Sequence, residues 1–201
     1  MPDREPPRTL VIACGALTRE VRAVLDQLPG ATDSIAVTYL PAQLHNTPDR
    51  IPDALAAAAA AHPGAHVVAA YADCGTGGRL DATLATLGAT RLPGAHCYEF
   101  FAGSERFARL AADEPGTFFL TDFLARHFDA LVIAALGIDT HPELRDQYFA
   151  HYRRVTLISQ TDDPAVVEMG RRAAARLDLE FAHEPVGLEP FAGVLRAAIV
   201  S

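Results

Sequence analysis

Thr9-Leu10-Val11-Ile12-Ala13-Cys14-Gly15 runs without a charge between a proline-rich start and a Cys-Gly step. A short, continuous apolar run of this kind, with no polar alternation, is what a strand buried on both faces of a parallel sheet requires. Thr18 is expected to cap the helix that follows, which should end at Pro29-Gly30. The same grammar repeats downstream. Strand-like runs at Ile35 to Leu40, His66 to Tyr71, Arg91 to Cys97, Thr117 to Leu120, Arg154 to Ser159 and Leu179 to Ala182 alternate with helical stretches. Phe100 to Ala112 reads as one helix, and a long helix is expected from Asp122 to Gly137. Strictly alternating strand and helix predicts an α/β fold, a three-layer, Rossmann-like sandwich around a mainly parallel sheet. At 201 residues, half of them apolar, the chain is expected to form one domain over 1–201, with residues 1–8 as a flexible start.

Composition removes several function classes. A net charge of −8 offers no basic surface for a phosphate backbone, so no nucleic-acid partner is expected. All seventeen cations are arginine. Without a lysine there is no amine for a pyridoxal phosphate enzyme, a Schiff-base aldolase or a lysine-bearing phosphate loop. The most apolar stretch, Phe118 to Leu136, is interrupted by Asp122, Arg126, His127 and Asp129, so no membrane span is expected. An odd cysteine count without a secretion signal argues for reduced thiols and a cytoplasmic location.

In open parallel sheets, ligands bind beyond the carboxyl ends of the strands. All three cysteines sit there: Cys14 after the first strand, Cys74 after His66 to Tyr71, and Cys97 at the end of Arg91 to Cys97. His45 occupies the proline-bounded loop Pro41 to Pro48. Three thiolates and an imidazole suit tetrahedral Zn2+; three thiolates alone can hold a [4Fe-4S] cluster with one open iron. The expected metal ligands are therefore Cys14, Cys74, Cys97 and His45. His45 and His96 are the acid/base candidates, and Gly15, Gly75, Thr76 and Gly77 are candidate cofactor contacts. The glycines would let backbone approach a ligand closely, and amides at the helix start could form an anion nest. Two familiar loops fail here. Between Cys74 and Arg79 there are four residues, one too few for a tyrosine-phosphatase loop, and Leu80 breaks the dinucleotide fingerprint. Asp122 and Asp163 read as helix caps.

Cys14-Gly15-Ala16-Leu17, the Leu40-Pro41 to His45 loop, Tyr71-Ala72-Asp73-Cys74-Gly75-Thr76-Gly77 and Gly94-Ala95-His96-Cys97-Tyr98-Glu99 together resemble domain-of-unknown-function family 1638. The resemblance implies that the cysteines and the histidine belong to a recurring pattern, and it associates the chain with corrinoid-dependent methyl transfer, hence a corrinoid or methyltransferase partner. The expected function is a metal-dependent transferase or lyase acting on a small molecule, with methyl, one-carbon or thiol-group transfer at a zinc-thiolate site. A three-cysteine iron–sulfur lyase or sulfur-transfer enzyme is the alternative, and a non-enzymatic metal or cofactor carrier the other. A homo-oligomer is compatible with either.

Overall fold

The computed structural model describes residues 8–28 and 34–200; the expected helix stop at Pro29-Gly30 and the first seven residues lie outside them. The strands are β1 (Thr9–Cys14), β2 (Ile35–Leu40), β3 (His66–Ala70), β4 (Thr90–Arg91), β5 (Thr117–Leu120), β6 (Arg154–Ser159) and β7 (Glu180–Pro185). Every pairing among them is parallel. The α/β sandwich class is thus the one the alternating pattern implies. Where one sheet is expected, however, there are two, ordered β2-β1-β3-β4 and β5-β6-β7. They fall in two compact units: unit 1 is Met1–Phe100 with Phe191–Ser201, and unit 2 is Phe101–Pro190.

In unit 1, β1 is central, which is why Leu10 to Ala13 carry no polar residue and have no exposed surface. Helices α1 (Thr18–Leu25), α2 (Ile51–Ala60) and α3 (Arg79–Leu87) connect the strands. Thr18 opens α1 rather than capping it; its hydroxyl donates to the Gly15 carbonyl at 2.8 Å. Helix α4 (Cys97–Ala102) begins where a strand end was expected. Strand β4 is only two residues long; Pro93, with no N–H to pair, lies two residues beyond it, and the Arg91 side chain reaches Asp81 (2.6 Å) and the Leu92 and Gly94 carbonyls.

In unit 2, the expected helix from Phe100 to Ala112 is broken by Gly103 at φ 80°, leaving α5 (Ser104–Asp113) on its own. The expected long helix resolves into a short α6 (Asp122–Arg126) and a π-helical segment, Asp129–Ala134. Helices α7 (Glu143–Tyr148) and α8 (Pro164–Leu177) flank β6 in sequence; α9 (Glu189–Val200) follows β7 and belongs, from Phe191 on, to unit 1. The core of unit 2 gathers Leu120, Ile133, Val155, Leu157, Val166 and Leu177. Among the described residues, no helix is long and apolar enough to cross a membrane.

Candidate functional site

Strand register assembles one edge of unit 1. Ala13 pairs with Ala70, so the next residues, Cys14 and Tyr71, leave the sheet side by side. On the other side Cys14 pairs with Leu40, and the chain turns there into the 3-10 segment Ala42–Asn46 that carries His45. Beyond β3 and β4 the backbone stays paired without being strand: the Asp73 amide donates to the Gly94 carbonyl (3.1 Å) and the Cys74 amide to the Ala95 carbonyl (2.9 Å). That clamp brings Cys97, the first residue of α4, to the same edge. The segments that follow β1, β2, β3 and β4 thus deliver their side chains to the carboxyl end of the sheet.

Cys14, His45, Tyr71, Cys74 and Cys97 line one cavity of about 20 Å³, closed by Ala16, Leu17 and Phe100 among others. Its walls contain no carboxylate. Cys14 and Tyr71 are almost wholly buried, at 3% and 1% exposure; Cys74 and Cys97 are half-buried. His45 keeps an exposed edge while its Nδ1 faces inward. Cys14 caps the 3-10 turn Gly15–Leu17 with its sulfur, which accepts from the Ala16 amide at 3.4 Å. Cys74 is held at φ 52°, in the left-handed region that a residue with a Cβ rarely occupies. Backbone strain of that kind persists only where surrounding contacts enforce it, and it gathers at functional positions.

The cluster is electrically neutral. Burial pushes the Cys14 thiol above its ordinary value, and burial followed by the neighbouring Cys14 pushes Cys74 up to about 12. Cys97 is raised by burial and then by Cys74 and Cys14. Burial lowers His45, against the opposing effect of the Ala42 carbonyl. That carbonyl lies 3.1 Å from Nδ1, and since a carbonyl only accepts, Nδ1 carries the proton and Nε2 the lone pair. The Cys14 sulfur lies 3.8 Å from the same Nδ1. The pair is therefore not arranged as a thiol facing a general base, because the nitrogen nearest the sulfur already bears hydrogen. A ring nitrogen fixed by a carbonyl is instead what metal-ligating histidines use to set their tautomer.

The donor set, three sulfurs and one imidazole, matches a soft cation in chemistry. Among the described residues no three His, Cys, Asp or Glu side chains already close on a common ion. The four share a cavity, and their side chains would have to turn to share a coordination sphere.

Other candidates fare differently. His96 is exposed beside Tyr98 (ring centroids 6.3 Å apart) and does not line the cavity; it reaches the site only as a charge that disfavours protonation of His45. Gly15 is small for a backbone reason: a Cβ there would meet the Leu40 carbonyl oxygen at 3.0 Å. The amides of Gly77 and Gly78 donate to the Asp73 carboxylate at 3.1 and 3.0 Å, and the Thr76 hydroxyl donates to the same group at 2.7 Å. Asp73 thus fills the nest expected to take an anion. Gly75 takes φ 82° beside Pro48, which shapes the loop. Asp163 caps α8, accepting from the Ala165 amide at 2.9 Å. Asp122 does not cap: Thr121 does, while Asp122 accepts from the Gln160 amide (3.0 Å) and ties the end of β5 to that of β6. Tyr71 is the cavity residue that sequence reasoning missed. Its place directly after a buried strand, three residues before Cys74, was the available signal.

Fold and edge define a parallel α/β protein with a thiol–imidazole cluster at the carboxyl end of one sheet. The family described as protein of unknown function (DUF1638) matches residues 39–195, and the chain belongs to it. The matched stretch holds His45, Tyr71, Cys74 and Cys97; Cys14 precedes it. No curated protein and no solved structure matched the chain.

Proposed function

We propose that unit 1 takes up one thiophilic cation, Zn2+ in the first instance, through Cys14, Cys74 and Cys97 with His45 at the open edge, and that the protein is a metal-dependent transferase or lyase acting on a small molecule. The observation that carries this reading is the convergence of three thiols and an imidazole on one carboxylate-free cavity of about 20 Å³. Thiolate-rich zinc is a weak Lewis acid, and when bound it would favour a substrate thiol by stabilising its thiolate, which suits transfer of a methyl, one-carbon or other group to sulfur.

The protein's own groups supply the rest. His45, neutral and fixed through Ala42, offers Nε2 as ligand or proton acceptor; its exposed edge marks the side from which a substrate approaches. Leu17 and Phe100 limit water at the sulfurs. An acid/base-competent imidazole beside the thiols favours an enzyme over a carrier.

Elemental analysis of protein purified without oxygen tests the reading. One zinc per chain is expected, and each of Cys14→Ser, Cys74→Ser and Cys97→Ser should lose most of it, since a hydroxyl poorly replaces a soft thiolate. Stoichiometric iron with sulfide and a brown colour would replace zinc by the cluster. Full metal retention in all three variants would end both.

A further inference from the structure

The Tyr71 hydroxyl is buried without a hydrogen-bond partner. Among the described residues, it is the one such group that also lines the cysteine cavity. Its ring is stacked on His45, with centroids 6.2 Å apart and planes 13° from parallel. The hydroxyl lies beside the Cys14 sulfur, and each group affects the other's charge; the neutral thiol is at most a weak acceptor and leaves the hydroxyl without a full hydrogen bond. Buried polar atoms left unmatched are rare in folded proteins, and an orphan at a candidate site asks what its missing partner is.

The chemistry of sulfur answers. A thiol is a weak acceptor, whereas a thiolate, with a full charge and free lone pairs, accepts strongly. Cys14 is the sulfur beside the phenol, and it becomes a thiolate when a cation displaces its proton. We propose that Tyr71 is a positioning residue that donates a hydrogen bond to the Cys14 sulfur in the cation-loaded site, and that its hydroxyl stays unmatched in the metal-free protein because the acceptor does not yet exist. The inference rests on the reading that Cys14 ligates a cation. It assigns the phenol two roles: it disperses charge on one of three crowded thiolates, and through the stacked ring it fixes the orientation of His45.

The two states make opposite demands on the hydroxyl, so one substitution separates this role from simple packing. Tyr71→Phe removes a single oxygen. In metal-free protein it removes a buried unsatisfied group, and Tm should rise by about 2–4 °C, the shift that relief of one such group gives in a chain of this length. In loaded protein it removes a hydrogen bond to a ligand, and affinity for Zn2+, measured by competition with a chelator, should fall about tenfold or more. Cobalt(II) in place of zinc supplies a spectroscopic readout. Losing the hydrogen bond raises the energy of the sulfur electrons, so the sulfur-to-cobalt charge-transfer band should move to longer wavelength.

A lower metal-free Tm in Tyr71→Phe, with zinc affinity and the cobalt band unchanged, would overturn the assignment and leave Tyr71 a packing residue. If the unsubstituted protein takes up neither Zn2+ nor Co2+, the cation reading itself fails and the role of Tyr71 falls with it. Uptake by the unsubstituted protein with an unmoved band in the variant isolates the failure to Tyr71.

Discussion

Two cysteines of the same cavity differ in what holds them, and one substitution tells them apart. Cys74 sits at φ 52°, where a non-glycine residue costs about 1–3 kcal/mol, so Cys74→Gly should leave unfolding free energy of the metal-free protein unchanged or raise it by about 1 kcal/mol. Cys14 is extended (φ −61°, ψ 136°) at the end of the central strand, and Cys14→Gly should lower it by about 1 kcal/mol through added chain entropy and lost packing. Urea denaturation of the two variants reads the difference; equal losses would mean that Cys74 stores no strain. At this scale the sequence was legible where strand ends announced themselves, which is how Cys14, Cys74 and Cys97 came together on paper. It was silent on Tyr71, whose importance lies in a missing partner, and a sequence does not display what a side chain lacks. It misled at Gly15 and at Gly75 to Gly77, because a glycine that admits a ligand and one that admits the chain's own backbone look alike until the neighbour is known. At Gly15 the neighbour is the Leu40 carbonyl.

Helices and strands carry a second lesson, about close approach between elements. Helix α8 has a glycine in its interior, Gly170, where alanine would gain about 1 kcal/mol of helix propensity. A Cβ there would stand 2.9 Å from the Phe181 ring and 3.2 Å from Leu157 Cδ2, pressing on β7 and β6 together. Overpacking of that order costs about 1–3 kcal/mol, so Gly170→Ala should destabilise by about 1 kcal/mol in chemical denaturation despite the better helix former. Gly15→Ala should cost about as much, because the atom it meets is backbone and cannot rotate away. A stabilised Gly170→Ala protein would mean that α8 can lift from its sheet at no cost. Most element positions were legible: β2, β5 and β6 occupy the expected residues, since short apolar runs between clear breakers leave little freedom. The segment from Arg91 to Cys97 was not: the strand stops at Arg91, whose side chain reaches Asp81 ten residues back, and Pro93 follows with no N–H to pair. Cys97 starts a helix instead of ending a strand, and only Cys97, not His96, lines the cavity.

For the whole chain, the alternating pattern identified the class but pointed to one sheet where there are two. Runs such as Leu10 to Ala13 and Val155 to Ile158 are both almost wholly buried, and nothing local says which runs pair with which; two parallel sheets in two compact units satisfy the same string. What the whole molecule does with pH follows from the cavity. His45 is held below its ordinary value of 6.5, so it binds fewer protons folded than unfolded, and its contribution to stability is present above about 6.5 and lost as pH falls. Asp73, lowered first by the Thr76 hydroxyl and then by the Gly78 and Gly77 amides, adds a contribution that is present above 3.8 and lost at lower pH. The thiols have the opposite sign. Cys14, Cys74 and Cys97 are raised above 9.0, so their contribution is complete below 9.0 and lost as pH climbs toward the folded values, about 12 for Cys74. Metal-free protein should therefore show a plateau of Tm between about pH 7 and 9, falling on both sides. If Cys14, Cys74 and Cys97 are its ligands, zinc removes the alkaline fall: once the thiols are bound as thiolates there is no proton left to lose, and that limb should disappear up to the pH where hydroxide competes for the ion, while on the acid side protons compete with zinc for the sulfurs and for His45. Scanning calorimetry from pH 5 to 11 with and without zinc reads both flanks, and an alkaline limb that zinc leaves untouched would place the ion elsewhere than on these three sulfurs.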